Sequence, residues 1–199
     1  MKSLICSNKN KVLRIKKNFF CFYFKAVMFL ALFLFLFQNL FCYEKIFFTK
    51  DQVVFGDGDT FALNIDDKEI QIRFLGVDTP ERQGDIFTKD QYLGLEASEF
   101  TKQQIQNAKS LYYVPFKNDK YGRTLAFVFV DDELLSLKII NVGLGYETVS
   151  FYKNKYPKAD DSEFSKWDEK VRLAAQEVGT PNFQNPFYWR QKNKLIDLK

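Results

Sequence analysis

Hydrophobic and polar residues alternate along the chain between residues 46 and 77. Apolar side chains occupy every second position in two successive runs, first at Phe61, Leu63 and Ile65 and then at Ile70, Ile72 and Phe74. A period of two is typical of half-buried β-strands. Asp66-Asp67 lies between the runs and suits a hairpin turn. A shorter apolar run at residues 53–55 predicts another strand, which ends at Asp57-Gly58.

Helical spacing follows these strands. Apolar residues three or four positions apart predict three helices, over residues 92–109, 134–142 and 162–178. Asp131-Asp132 suits the start of the second helix, and Gly143 its end. Residues 82–91 are polar and predict an exposed loop.

Two more strands are predicted between the first and second helices, at residues 111–116 and 124–130. Three strands, a helix, two strands and two helices predict an α+β fold. Five strands with a helix after the third indicate a five-stranded OB-type β-barrel with three helices. Fold alone does not decide function.

The N-terminal segment differs from the rest of the chain. Its first 42 residues contain no acid and seven basic residues, at positions 2, 9, 11, 14, 16, 17 and 25, and residues 26–37 contain no polar side chain. A basic region before a short apolar run is typical of a secretory signal peptide. An uncleaved membrane anchor and acylation at Cys42 are the alternatives. We therefore expect a secreted or envelope-associated protein with a leader at 1–42, a folded domain at 43–180 and a C-terminal tail at 181–199.

Composition narrows the chemistry. The full chain has 29 basic and 25 acidic residues, but without the leader the numbers are 22 and 25, a net charge of −3. The basic balance therefore belongs to the leader and does not indicate nucleic-acid binding. The chain has no histidine, and its three cysteines all lie in the leader. Serine–histidine catalysis, cysteine–histidine catalysis and imidazole zinc sites are excluded.

Four acids and one arginine lie within 25 residues of each other. The predicted hairpin would bring Asp57 and Asp59 beside Asp78 and Glu81, with Arg73 in the same stretch. Clustered carboxylates repel one another unless a cation neutralises them. An all-oxygen set favours Ca²⁺ or Mg²⁺, and the arginine fork suits a phosphate. The cluster therefore indicates phosphoryl-transfer chemistry. Each motif alone also has an ordinary explanation as a turn or a surface ion pair.

Five segments together resemble the staphylococcal nuclease (thermonuclease) family. They occur in the family's order, with similar spacing: Asp57-Gly58-Asp59-Thr60, residues 73–81, residues 94–102, Lys120-Tyr121-Gly122-Arg123 and Val142-Gly143-Leu144. The resemblance covers about residues 53–175. Asp-Gly turns are common, so the first segment alone is a weak signal, whereas the ordered set is highly specific.

The resemblance implies a calcium site. Asp59 and Asp78 would bind Ca²⁺ through their carboxylates, and Thr79 would bind it through its backbone carbonyl. Asp57 would support the hydration shell of the ion. Glu81 would position or deprotonate the attacking water.

The resemblance also implies substrate contacts. Arg73 and Arg123 would bind the scissile phosphate, Lys120 and Tyr121 a neighbouring phosphate, and Tyr152 would line the nucleotide pocket. One departure concerns that pocket. The family usually has a tyrosine two positions before the last of these, where this chain has a serine.

The resemblance implies a calcium-dependent endonuclease that hydrolyses DNA and RNA and leaves 3′-phosphate ends. The alternatives are an OB-fold module that binds nucleic acid without cutting it, and a surface interaction protein. Members that have lost activity typically lose the acids or arginines, and this chain keeps them. The sequence indicates no protein partner, so we expect a monomer, tethered to a membrane only if the leader is retained.

Overall fold

The structure is a computed structural model that describes residues 27–29, 43–83, 89–150 and 162–193. The chain divides into two compact units, Met1–Tyr43 and Glu44–Lys199. Apart from residues 27–29, which are helical, the predicted leader lies outside the described residues. Among the residues that are described, no helix has the length and apolar character needed to span a membrane.

The second unit contains nine strands among its described residues. They are β1 Ile46–Phe47, β2 Val53–Phe55, β3 Thr60–Ile65, β4 Lys68–Phe74, β5 Val77–Asp78, β6 Leu111–Asn118, β7 Thr124–Val130, β8 Glu133–Leu134 and β9 Tyr146–Glu147. The helices are α1 Gly94–Asn107, α2 Leu135–Asn141, α3 Ser162–Val178 and α4 Pro186–Asn193, with a 3₁₀ helix at Lys50–Gln52.

The main sheet runs in the order β1-β6-β7-β4-β3-β2, with β8 also paired to β7. Strands β4 and β7 are parallel, and the other pairs in this sheet are antiparallel. A flat sheet of six strands would hold its edges about 24 Å apart. Only residues 48–52 connect the edge strands β1 and β2, and a segment containing a 3₁₀ turn is too short to cross that distance. The sheet therefore curls into a half-barrel.

These elements confirm the predicted α+β fold. The five predicted strands correspond to β2, β3, β4, β6 and β7, and the three predicted helices to α1, α2 and α3. The additional strands β1, β5, β8 and β9 are two residues long, too short to give a periodic signal in the sequence.

Two aspartate pairs form tight turns. Asp66 and Asp67 have φ angles of 50° and 60°, as a two-residue hairpin turn requires, and they join β3 to β4 as predicted. Asp131 and Asp132 have φ angles of 52° and 62° and join β7 to β8 in the same way. The prediction that this second pair starts a helix is wrong, because left-handed backbone cannot be part of an α-helix.

The core lies between the curled sheet and the helices. Of the alternating residues of β3 and β4, Ile65 and Ile70 beside the hairpin turn are half-buried, and the other four are buried: Phe61, Leu63, Ile72 and Phe74. Helices α1 and α2 add Ile105, Leu135 and Ile139 to the core. Complete burial of each such side chain stabilises the fold by about 1.5–3 kcal/mol. This core provides a rigid base for the polar residues at one end of the sheet.

The segment after residue 181 packs onto the domain. Tyr146 donates a hydrogen bond from its hydroxyl to the carbonyl of Phe183 at 2.8 Å, and the two rings meet edge to face. Trp189 of α4 is buried. The C-terminal segment, for which we predicted no element, therefore contributes a fourth helix.

Candidate functional site

Helix α1 holds the turn that carries the first acids. Ser98 donates its hydroxyl to the carbonyl of Gly56 at 2.9 Å, and Thr101 donates to the carbonyl of Gly58 at 2.6 Å. A Cβ atom on Gly58 would lie 2.9 Å from the Cβ of Ala97. The turn can therefore lie against the helix only with glycine at this position.

Asp59, Arg73 and Thr79 meet at the end of this turn. Asp59 is completely buried and forms an ion pair with Arg73. Its other carboxylate oxygen accepts the backbone N–H of Thr79 at 2.8 Å. Arg73 reaches Asp59 because it lies opposite Thr60 in the β3–β4 register. The structure thus brings these three predicted site residues together.

Asp78 completes the buried acid pair. It lies in β5, opposite Tyr146 of β9, and its Oδ1 accepts a hydrogen bond from Arg73. A second arginine approaches from the C-terminal helix. Arg190 Nη1 lies 3.0 Å from Asp78 Oδ1, and Arg190 Nη2 lies 2.8 Å from Asp78 Oδ2. Asp78 is therefore contacted by two guanidinium groups.

Glu81 is held by Gln91 and Arg190. The backbone N–H of Glu81 donates to Gln91 Oε1 at 3.2 Å, and the backbone N–H of Gln91 donates to the carbonyl of Glu81 at 2.9 Å. Arg190 forms an ion pair with the Glu81 carboxylate. A Cβ atom on Gly94 would lie only 2.3 Å from the Glu81 carbonyl oxygen. The start of α1 therefore needs glycine at that position to accommodate Glu81.

The sequence analysis did not identify Gln91 or Arg190 as site residues. Gln91 was predicted to lie in an exposed loop, but it is buried and donates from Nε2 to the carbonyl of Gln184 at 2.5 Å. Arg190 is 112 positions from Asp78. No periodicity or local motif predicts either contact, because both depend on how the C-terminal segment packs.

Burial and neighbouring charges shift the pKa values of the clustered acids in different directions. Burial raises the pKa of Asp57, although Arg73 opposes the shift. Burial also raises the pKa of Glu81, with Arg190 and Arg73 opposing. Asp78 is buried too, but the two guanidinium groups hold the pKa of its carboxyl below the usual value. Of these three acids, Asp78 is therefore the one in which charge pairing outweighs the cost of burial.

Three further predicted site residues lie in the turn before β7: Lys120, Tyr121 and Arg123. Asp119 accepts the backbone N–H of Arg123 at 3.0 Å and its side-chain Nε at 2.9 Å. The ring of Tyr121 is 71% exposed, with Lys120 Nζ at 4.8 Å and Arg123 Cζ at 5.6 Å from its centroid. This turn presents two cations and an exposed aromatic ring, a combination suited to a polyanion that also carries flat bases.

The charge of Arg123 acts on Asp57 and opposes the rise in its pKa. Tyr152, predicted to line the nucleotide pocket, lies outside the described residues.

The chemistry of the donor set fits a hard divalent cation. Asp57 Oδ1 and Thr79 Oγ1 are buried and have no hydrogen-bond partner among the described residues. The carboxylates of Asp57, Asp59, Asp78 and Glu81 and the guanidinium groups of Arg73 and Arg190 together carry a formal charge of −2. Within the described ranges, no three acidic side chains are arranged around a common point as metal ligands. The arginines pair with the carboxylates instead.

The curled OB-type sheet and the paired acids and arginines define a protein with a polar, oxygen-rich site at one end of a half-barrel. A family model described as staphylococcal nuclease homologue matches residues 71–177. The chain belongs to this family, which confirms the predicted resemblance.

Several named relatives align with the chain. It is 36% identical over 123 residues to a thermonuclease from Staphylococcus hyicus, covering 61% of this chain and 66% of that protein. It is 42% identical over 89 residues to a thermonuclease from Staphylococcus intermedius, covering 44% and 52%. It is 30% identical over 134 residues to endonuclease YncB from Bacillus subtilis (strain 168), covering 65% and 56%. The chain thus spans between half and two thirds of the length of these relatives.

Proposed function

We propose that this protein is a calcium-dependent endonuclease that hydrolyses phosphodiester bonds of DNA and RNA and leaves 3′-phosphate ends. The observation that carries the proposal is the buried contact of Asp59 and Asp78 with Arg73. This contact supports the proposal because carboxylate oxygens suit a hard cation and the arginine fork beside them suits a phosphate. Relatives named thermonuclease and endonuclease support the same conclusion.

Asp59, Asp78 and the Thr79 carbonyl would hold Ca²⁺, with Asp57 supporting its hydration shell. When bound, the ion supplies positive charge to a non-bridging phosphate oxygen. The protein contributes the buried position of these ligands. Asp59 is completely buried and Asp78 nearly so, which strengthens electrostatic interactions at the site because water is excluded.

Glu81 would take a proton from the attacking water. Burial raises the pKa of its carboxyl, which makes it a stronger base than an exposed glutamate. Arg73 and Arg123 would stabilise the negative charge that develops on the phosphate. Lys120 and Tyr121 would contact a neighbouring phosphate from the exposed turn.

The test is digestion of plasmid DNA and of a folded RNA by the purified protein, in Ca²⁺, in Mg²⁺ and in a chelator. We expect cleavage that requires Ca²⁺ and product ends that lose phosphate from the 3′ position on phosphatase treatment. A protein that binds both nucleic acids in Ca²⁺ without cutting either would instead be the non-catalytic OB-fold module. A protein that neither binds nor cuts them would favour the surface interaction role.

We also propose that residues 1–42 direct export. The basic residues followed by an apolar run support this. N-terminal sequencing of the protein recovered from culture medium and from cell envelopes would separate cleavage near Cys42 from a retained anchor. The monomeric state stays a prediction, which size-exclusion chromatography with light scattering checks.

A further inference from the structure

Arg190 is a positively charged side chain at the acid cluster that the proposed mechanism does not use. Its side chain is 28% exposed. The guanidinium pairs with both carboxylate oxygens of Asp78 and also with Glu81. One counter-ion is thus shared by a proposed calcium ligand and the proposed general base.

Contacts of the residues just before Arg190 determine where it lies. Asn185 accepts the backbone N–H of Phe187 at 2.9 Å at the start of α4, and the neighbouring Trp189 is buried. Upstream, the bond from Tyr146 to Phe183 ties the segment to β9. The helix is therefore docked, and Arg190 is directed at the carboxylates by packing rather than by a mobile tail.

The arrangement leaves Asp78 with little room for another partner. A carboxylate has about four lone-pair positions on its two oxygens. Arg73 and Arg190 use both positions on Oδ1, and Arg190 uses one on Oδ2. A cation that binds Asp78 must share the remaining position or displace part of the Arg190 contact.

The positive charge of Arg190 also opposes binding of a cation at the acid cluster. The four acids together with Arg73 and Arg190 carry a formal charge of −2, and without Arg190 the charge would be −3. A nearby opposite charge commonly changes the affinity of a carboxylate for a proton by about 10- to 1,000-fold. The same electrostatic effect applies to a metal cation.

We propose that Arg190 is a positioning residue of the site, which holds Asp78 and Glu81 together in the metal-free protein and lowers the affinity of the site for Ca²⁺. This inference rests on the proposed function, because it takes Asp78 as a calcium ligand. It makes the C-terminal helix part of the active site.

The test compares Arg190→Gln with Lys192→Gln in the full chain. Lys192 is an exposed residue of the same helix, so the control removes one positive charge without touching the carboxylates. Calorimetric titration with Ca²⁺ alone, without nucleic acid, gives the dissociation constant. We expect Arg190→Gln to bind Ca²⁺ about 10- to 100-fold more tightly than wild type, and Lys192→Gln to change by less than about twofold.

Thermal unfolding in chelator provides a second measurement. We expect Arg190→Gln to melt at a lower temperature than Lys192→Gln without Ca²⁺, because Glu81 loses its ion-pair partner and Asp78 loses one of its two. Added Ca²⁺ should remove most of that difference. If Arg190→Gln does not fold, Arg190→Lys decides the question. Lysine retains the charge but cannot pair with both Asp78 oxygens, so Ca²⁺ should again bind more tightly than in wild type.

Equal calcium dissociation constants for Arg190→Gln and Lys192→Gln would overturn the inference, and so would weaker binding in Arg190→Gln. In either case, wild-type protein that binds Ca²⁺ and cuts DNA would leave the proposed function intact. Wild-type protein that neither binds Ca²⁺ nor cuts nucleic acid would overturn the proposed function itself.

Discussion

Asp119 holds both the backbone and the side chain of Arg123. One carboxylate oxygen accepts the Arg123 backbone N–H at 3.0 Å, and the other accepts its Nε at 2.9 Å and lies 2.8 Å from Nη2. Nη1 has no hydrogen-bond partner within the described part of the chain. The turn therefore fixes the Nε–Nη2 edge of the guanidinium and leaves Nη1 as a donor for a substrate phosphate.

Asp119→Asn tests this orienting role. Asparagine keeps the shape but loses the charge that pairs with Nε, so we expect turnover to fall by about tenfold, since misplaced catalytic groups lose much of their effect. Turnover on plasmid DNA at saturating Ca²⁺ is the measurement. Asp67→Asn, at the exposed tip of the β3–β4 hairpin, is the matched control. Equal turnover in the two variants would mean that Asp119 only shapes the turn.

Arg123→Lys separates charge from geometry. Lysine retains the positive charge but not the planar fork. Loss of one well-placed donor to a developing oxyanion costs about 10²–10³ in rate, and we expect a decrease of that order in turnover. Lys120→Arg in the same turn is the control, because it keeps the charge at a proposed binding position. Near wild-type turnover in Arg123→Lys would assign Arg123 to the turn and not to catalysis.

The sequence predicted the parts of this protein that depend on local pattern. The β3–β4 hairpin followed from alternation and from Asp66-Asp67, and in the structure it brings Asp59 and Arg73 together. Helix α3 matches the predicted range, since its apolar face is continuous. These features depend on residues that lie close together in the sequence.

The remaining features depend on long-range packing. Asp131-Asp132 resembles a helix start, but pairing of β8 with β7 overrides that local preference. Gln91 lies in a sequence typical of a loop, and its contact with the carbonyl of Gln184 depends on packing of the C-terminal segment. Arg190 has no local signature at all, because its role depends on the docking of α4.

Asp59→Asn tests the metal ligand. Asparagine can still accept the Thr79 N–H but carries no charge, so Ca²⁺ affinity and activity should fall sharply. In chelator we expect the melting temperature to rise, because the cluster loses one of its repelling acids. Calcium titration and thermal unfolding on the same preparation are the measurements. Unchanged Ca²⁺ affinity and activity would refute the assignment.

Asp168 gives the stability of the fold a pH dependence. Its half-buried position raises the pKa of its carboxyl from 3.8 to about 6, and the charge of Glu147 adds to the shift. The folded state therefore holds its proton over a range where the unfolded chain has lost it. This contribution to stability is complete below the unfolded pKa and is lost as the pH rises through about 6.

Asp168→Asn removes this effect. We expect the variant to melt above wild type at about pH 7.5 and close to it at about pH 4. Glu177→Gln, an exposed acid on the same helix, should show no such trend. A constant difference between Asp168→Asn and wild type across the pH range would contradict the assignment.

Glu81→Gln tests the proposed base. Glutamine keeps the shape of the side chain and can still accept a hydrogen bond from Arg190, but it cannot take a proton from water. General bases contribute about 10²–10⁴-fold, so we expect turnover to fall within that range. Substrate affinity should stay close to wild type, and calcium affinity should fall far less than turnover, because Glu81 would act on the water and would affect the ion only through its charge. Turnover and the calcium dissociation constant are measured on one preparation. If activity returned fully at high Ca²⁺, the loss would lie in metal binding, Glu81 would be a ligand, and another residue would have to be the base.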